Sequence, residues 1–321
     1  MSLVEHAIRK LQDRRAAEDA QSPQAVSLGQ TDTLPQLLVP EPPVPARAPA
    51  PARAPEAATV DSAMRPGGMI KSQITLNMAA LRNGGLLPPE HEERQLSRQY
   101  RQIKRPLIAN ALGRGGERVK DGQLIVVTSA MPGEGKTFTT LNLALSLALE
   151  KDLNLVLVDA DVGKPHLSRL FGATQLPGLL DVLRQPELDV EDVILPTSVP
   201  KLSFLPVGRR SSEATELLSS DRMHQLVHAL GSHDEQRLVV FDSPPLLLTT
   251  ESHALTQAGG QIVVVVRAGA TTHATLMDAL TYVRDHPAVS LVLNQSKDPA
   301  QGYYYYGYGD SGSGAVPPNL D

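Results

Sequence analysis

The sequence predicts an α/β domain built on a doubly wound, mostly parallel sheet, and three observations carry that prediction. Six short apolar runs follow residue 122: QLIVVTS, LNLVLVDA, KLSFLPV, RLVVFDS, QIVVVVR and VSLVLNQ. Helix-like stretches lie between them, among them the segment after Lys136, SSEATELLSSDRMHQLVHALG and THATLMDALTYVRDH. The runs are apolar throughout rather than alternating, as strands covered on both faces must be. With no tryptophan and four phenylalanines in 321 residues, the core has to be aliphatic.

The elements follow in chain order. Residues 1–20 read as an amphipathic helix: Ser2 and Glu5 have capping-box spacing, and Val4, Ile8 and Leu11 follow the helical repeat. Residues 21–87 are expected to be a Pro-rich disordered linker, because a stretch such as LPQLLVPEPPVPARAPAPARAPEAA cannot bury enough surface to offset its ordering entropy. The folded unit is expected at 88–297, opening on the helical segment 88–112. There Arg94, Arg98, Arg101 and Arg105 recur on one face, a solvated stripe or a surface for a subunit or an acidic partner. Residues 298–321 return to Gly, Ser, Pro and Asp and read as a flexible tail. Five of the seven tyrosines gather in it: Tyr303, Tyr304, Tyr305, Tyr306 and Tyr308.

Composition excludes several chemistries. The absence of cysteine removes disulfides, thiolate zinc sites and a cysteine nucleophile, and suits a reducing cytosol. A net charge of −5 gives no argument for nucleic acid. No apolar run approaches the ~18 residues of a spanning helix, so a cytoplasmic chain is expected, with any membrane contact made through a partner.

The strongest chemical signal is IVVTSAMPGEGKTFTTLNLALSLA, residues 125–148. An apolar strand, a Gly-rich turn, GKT and a helix follow one another, the context a P-loop requires. Gly133 and Gly135 let backbone N–H groups approach a polyphosphate, and the helix N-terminus adds its dipole. Lys136 is placed to reach the β- and γ-phosphates, and the Thr137 hydroxyl to ligate Mg²⁺. Glu134 and Phe138 complete the nucleotide-binding segment. The first glycine of G-x-x-x-x-G-K-[ST] is replaced by Ala130. In LNLVLVDADVGKP a second strand ends in Asp159 and Asp161, two carboxylates on one side of an extended chain. In RLVVFDSPP a third ends in Asp242, the carboxylate expected to hold Mg²⁺. One P-loop with these acidic strand ends makes a site for metal-assisted phosphoryl transfer, and a spare carboxylate can take the acceptor's proton.

At these residues the chain resembles the bacterial tyrosine kinases, P-loop proteins with a ParA/MinD-like fold. Their Walker A, Walker A′, Walker B and tyrosine cluster have counterparts, in order, in SAMPGEGKT, VLVDAD, VVFDSPP and YYYYGY. Within that family it is most similar to the exosortase-associated autokinases of exopolysaccharide loci. YRQIKRPLIANA, DADVGKPHLSRLFG and FDSPPLLLTTES carry that likeness. The resemblance implies ATP and Mg²⁺ as cofactors. It implies catalytic roles for Lys136, Asp159, Asp161 and Asp242, with metal binding by Thr137, Asp161 and Asp242. It also implies adenine contact at Asn294 and autophosphorylation of the five tail tyrosines between subunits of a homo-oligomer. The partner it implies is a membrane-embedded polysaccharide co-polymerase on a separate chain, which would hold the kinase peripherally at the inner membrane. Two departures stand out. Gly163 occupies a place where arginine is common. The nearest register to the ExxRxxR assembly helix reads Arg98, Arg101, Lys104, with arginine in place of glutamate.

Two other readings remain. A ParA- or MinD-type ATPase switch shares the fold, but Met131 stands where its signature lysine is expected, and it gives no use for the tyrosines. A catalytically weak scaffold working through its N-terminal helix and linker is the second. Phosphorylation would load the tail with ~−1.5 to −2 charge per tyrosine, and the stripe from Arg94 to Arg105 is one surface that would attract it.

Overall fold

The computed structural model describes residues 73–296 apart from 115, 117 and 235. The expected N-terminal helix 1–20, most of the linker and the tyrosine tail lie outside the described residues.

Among the described residues, two helices, α1 (Met78–Asn83) and α2 (Glu93–Leu112), precede the sheet. Then β1 (Leu124–Ser129) leads through the P-loop into α3 (Lys136–Leu147). β2 (Asn154–Asp159) is followed by three short helices, α4 (His166–Leu170), α5 (Leu179–Arg184) and α6 (Val190–Val193). The edge comprises β3 (Leu195–Pro196) and β4 (Leu202–Leu205). Helices α7 (Ala214–Leu218) and α8 (Asp221–Ser232) lead to β5 (Arg237–Asp242). The described residues close with α9 (Thr250–Ala258), β6 (Gln261–Arg267), α10 (His273–Thr281) and β7 (Val289–Asn294).

The strands order as β3-β4-β2-β5-β1-β6-β7, parallel throughout except for the antiparallel β3–β4 pair. Every residue of β1 is buried, and its side chains divide between two cores. Leu124 and Val126 join α5, α8 and α10 on one face, while Ile125 and Val127 join α2 and α3 on the other. The doubly wound, mostly parallel sheet expected from the apolar runs is therefore present, and aliphatic side chains dominate both cores.

The expected linker boundary at residue 87 is corrected. Residues 73–87 form a strap on the domain: the Ile74 N–H donates to the Pro196 carbonyl at 2.9 Å, and the Ser198 N–H to the Ile74 carbonyl at 2.8 Å. Asn77 caps α1 through the Ala80 N–H, and Ile74, Leu76, Leu81 and Leu86 enter the core beside α2. Burial of these four aliphatic side chains offsets the cost of ordering the strap. The helix-like stretch over 211–231 forms two helices rather than one. It breaks at Ser219–Ser220, where the Ser220 hydroxyl caps α8 by accepting from the Met223 N–H.

Candidate active site

The carboxyl ends of β2, β5 and β1 lie side by side, because these three strands are consecutive neighbours in the sheet. Asp159 and Asp242 are register partners across β2–β5, and Val127 pairs with Asp242 across β1–β5. Parallel neighbours stand about 4.8 Å apart, so two carboxylates share a buried sheet end.

The P-loop closes over them. Gly133 and Gly135 sit at φ +82° and +91°, a region that L side chains avoid, and Gly135 starts α3. Lys136 Nζ reaches Asp161 Oδ2 at 2.5 Å, a pair with side-chain exposures of 12% and 8%. One turn further, the Thr140 hydroxyl donates to Asp242 Oδ1 at 3.1 Å. Asp159 Oδ2 accepts the Ser168 N–H at 2.7 Å, and Asp161 Oδ1 the Lys164 N–H at 3.0 Å. After Asp242 the DSPP loop is pinned along β1. Thr128 Oγ1 donates to the Pro244 carbonyl at 2.8 Å, and the Leu246 N–H to the Ser129 carbonyl at 2.8 Å.

Electrostatics follow from this crowding. Burial, reinforced by the Asp242 charge, pushes Asp159 up to about 7. Burial likewise raises Asp242, against the opposing pull of Lys136. For Lys136 burial works downward, but Asp242, Asp161 and Asp159 outweigh it and hold the ammonium above its ordinary value. Asp159 Oδ1 and Asp242 Oδ2 are buried without a hydrogen-bond partner. Unpartnered carboxylate oxygens beside a P-loop threonine suit a hard divalent cation such as Mg²⁺, which binds through one or two carboxylates together with substrate phosphates. Among the described residues, no cluster of three or more His, Cys, Asp or Glu able to hold a metal by itself occurs.

The structure thus brings together Lys136, Thr137, Asp159, Asp161 and Asp242. Phe138 follows the loop, and its partly buried side chain packs against the core on the α2–α3 face. Asn294, at the end of β7, lies against the P-loop, its Nδ2 donating to the Glu134 carbonyl at 2.9 Å. Glu134 itself is buried at 4% exposure. Its carboxylate accepts the Met131 N–H at 2.8 Å and the Thr271 hydroxyl. Sequence reasoning missed Thr140, Ser168 and Thr271. Thr140 could have been found one helical turn after Lys136, whereas nothing in the sequence marks Ser168 or Thr271.

Comparison with known proteins agrees with this geometry. A protein-family model described as "ParA: NUBPL iron-transfer P-loop NTPase" matches residues 120–266. The iron-transfer part of that description has no thiolates to rest on here, since the chain has no cysteine. The chain is 33% identical over 188 residues to a protein of Ralstonia nicotianae named "Putative tyrosine-protein kinase EpsB", covering 58% of this chain and 24% of that one. It is 29% identical over 219 residues to the tyrosine-protein kinase YwqD of Bacillus subtilis, covering 67% and 88%. The chain is a relative of the bacterial tyrosine kinases. Among solved structures, the BceF tyrosine kinase domain superposes with a TM-score of 0.53 at 27% identity, covering 67% of this chain and 86% of that one. The chain spans about a quarter of the length of the first of these curated relatives (24%). The fold is that of a ParA/MinD-like P-loop NTPase, which implies nucleotide binding. No helix among the described residues is long and apolar enough to cross a membrane.

Proposed function

We propose that this chain is an ATP-dependent protein-tyrosine autokinase whose substrates are Tyr303, Tyr304, Tyr305, Tyr306 and Tyr308 of its own tail. The observation that supports this best is the buried pairing of Asp159 and Asp242 beside Lys136 and Asp161, at the mouth of a P-loop. In this reading the loop backbone and Lys136 hold the ATP phosphates. Thr137, Asp161 and Asp242 hold Mg²⁺, which supplies charge neutralisation on the phosphates when bound. The tyrosine oxygen bonds to the γ-phosphorus, the bond to the β–γ bridging oxygen breaks, ADP leaves, and the phenolic proton passes to the Asp159–Asp161 pair. A loose phosphoryl transition state asks mainly for such positioning and charge. Asn294 braces the loop near the base. The chain acts as a homo-oligomer, one copy's tail entering another's site. It serves exopolysaccharide synthesis beside a membrane-embedded co-polymerase whose cytoplasmic segment activates it.

The match to the ParA model favours one second reading, an ATPase switch with no phosphotyrosine product. Incubation with Mg-ATP, with and without the partner's cytoplasmic segment, followed by phosphotyrosine immunodetection, separates the two. The autokinase reading expects signal from wild type and none from Lys136→Met. ATP hydrolysis without phosphotyrosine under both conditions would favour the switch.

A further inference from the structure

Helix α2 carries a charged face that the fold does not use. At 100° per residue, Arg94, Arg98, Arg101 and Arg105 fall within about 60° of arc. All four are exposed, and none of the ion pairs among the described residues involves them. The opposite face buries Tyr100, Lys104, Leu107 and Ala111. Lys104 is turned inward, 2.8 Å from Glu150, with its ammonium donating to the Ser146 carbonyl at 2.6 Å.

No acidic residue occurs between 94 and 112. Glu90, Glu92 and Glu93 precede the stripe, and Glu90 and Glu93 pair with Arg82 while Glu92 lies beside His91. Like charges at i,i+3 and i,i+4 disfavour a helix. The stripe therefore carries a repulsion that an external anion would relieve.

Its spacing fits a particular anion. Along the helix axis Arg98 and Arg101 are about 4.5 Å apart and Arg101 and Arg105 about 6 Å apart, offsets that flexible arginine side chains can span. Tyr304, Tyr306 and Tyr308 alternate, so an extended segment sets them on one side, about 6.7 Å apart. Phosphate on tyrosine offers the bidentate partner that guanidinium prefers. We infer that the exposed arginine face of α2 is the docking surface for the phosphorylated form of this chain's own tail, with Arg98, Arg101 and Arg105 taking the phosphates of Tyr304, Tyr306 and Tyr308. The inference rests on the autokinase reading for the source of those phosphates, but its test does not.

The test uses the full-length chain with all five tail tyrosines changed to phenylalanine, so that its own tail cannot compete. A fluorescent synthetic peptide of residues 298–321, phosphorylated at Tyr304, Tyr306 and Tyr308, is titrated by anisotropy. Beside it are run the unphosphorylated peptide and one with glutamates giving the same total charge. The phosphopeptide should bind at least tenfold tighter than either. Affinity should fall steeply as ionic strength rises from about 0.05 to 0.5 M. Arg98→Gln/Arg101→Gln/Arg105→Gln should lose at least tenfold while keeping the wild-type circular dichroism and a thermal midpoint no lower than wild type, and Arg284→Gln should bind normally. Equal binding of the glutamate peptide would reveal a generic polyanion surface and overturn the assignment, as would phosphopeptide binding that survives the triple substitution. A tail that becomes phosphorylated on the enzyme yet fails as a peptide defeats this inference alone. A peptide that binds while the enzyme never phosphorylates its tail defeats the autokinase reading alone.

Discussion

Replacing Gly135 by alanine tests how tightly the P-loop is tied to the last strand. Gly135 lies at φ +91°, and a Cβ there would stand 2.0 Å from Asn294 Nδ2. Holding an L residue in the left-handed region costs about 1–2 kcal/mol. Pushing the Asn294 amide aside also breaks its bond to the Glu134 carbonyl, worth about 1 kcal/mol. Together these predict a loss of about 2–3 kcal/mol, or a fall in Tm of roughly 4–12 °C for a domain of this size. Mg-ATP affinity should drop as well, since the displaced groups belong to the phosphate loop. The steric share is recoverable: Asn294→Ala removes the clashing nitrogen, so the double variant should be more stable than the sum of the single losses by about 1 kcal/mol. Urea denaturation followed by circular dichroism, with and without Mg-ATP, reads both quantities. Gly135→Ala within about 0.5 kcal/mol of wild type, or strict additivity in the cycle, would refute the reasoning.

Other predictions concern the carboxylates and the strap. Asp159 titrates near 7 in the fold, against 3.8 for its ordinary value, because burial and Asp242 disfavour its charge. The native state then holds more protons between those values, so stability without nucleotide should fall as pH rises from about 4 to 7 and level off above. Asp159→Asn should approach wild type near pH 4 and exceed it at pH 8 by up to ~4 kcal/mol. Asp242, shifted in the same direction, leaves the variant some residual slope. Urea midpoints at the two pH values decide this, and a pH-independent difference would count against it. Leu81, 2% exposed in the strap, should cost about 2–5 kcal/mol as alanine. A chain starting at residue 88 should likewise unfold at lower urea than one starting at residue 73, whereas equal midpoints would return residues 73–87 to the linker.

The fold was legible where a strand is buried on both faces, because a short, continuous β-branched run between turn residues suits little besides the interior of a parallel sheet. β3 was not, since two residues pairing antiparallel at the edge, Leu195–Pro196, carry no periodicity. The break between α7 and α8 was hidden because SSEATELLSSDRMHQ keeps a helical rhythm across Ser220, and the serine reads as a cap only once the chain has turned. The strap was masked by its neighbours: dense proline ahead of it outweighed Ile74, Leu76, Leu81 and Leu86, whose burial depends on distant partners in β3 and α2. In the site, the proximity of Lys136, Asp159, Asp161 and Asp242 could be anticipated because each ends or closely follows a parallel strand, or opens the helix after one. The contacts from Thr271 to Glu134, from Ser168 to Asp159 and from Asn294 to the Glu134 carbonyl could not. They join elements more than a hundred residues apart or depend on how a loop turns back on the strand before it.

The most direct test of the central claim is a complementation between two variants. One carries Lys136→Met with its tail tyrosines intact, and the other carries an intact Lys136 with all five tail tyrosines changed to phenylalanine. Each is incubated with Mg-ATP alone and then mixed with the other, with the partner's cytoplasmic segment present throughout, and phosphate is mapped by mass spectrometry. The account predicts no tail phosphate on either variant alone, and phosphate on Tyr303–Tyr308 of the Lys136→Met chain after mixing. Tail phosphate on Lys136→Met before mixing, or none after it while the wild-type chain also remains unmodified, would contradict the account.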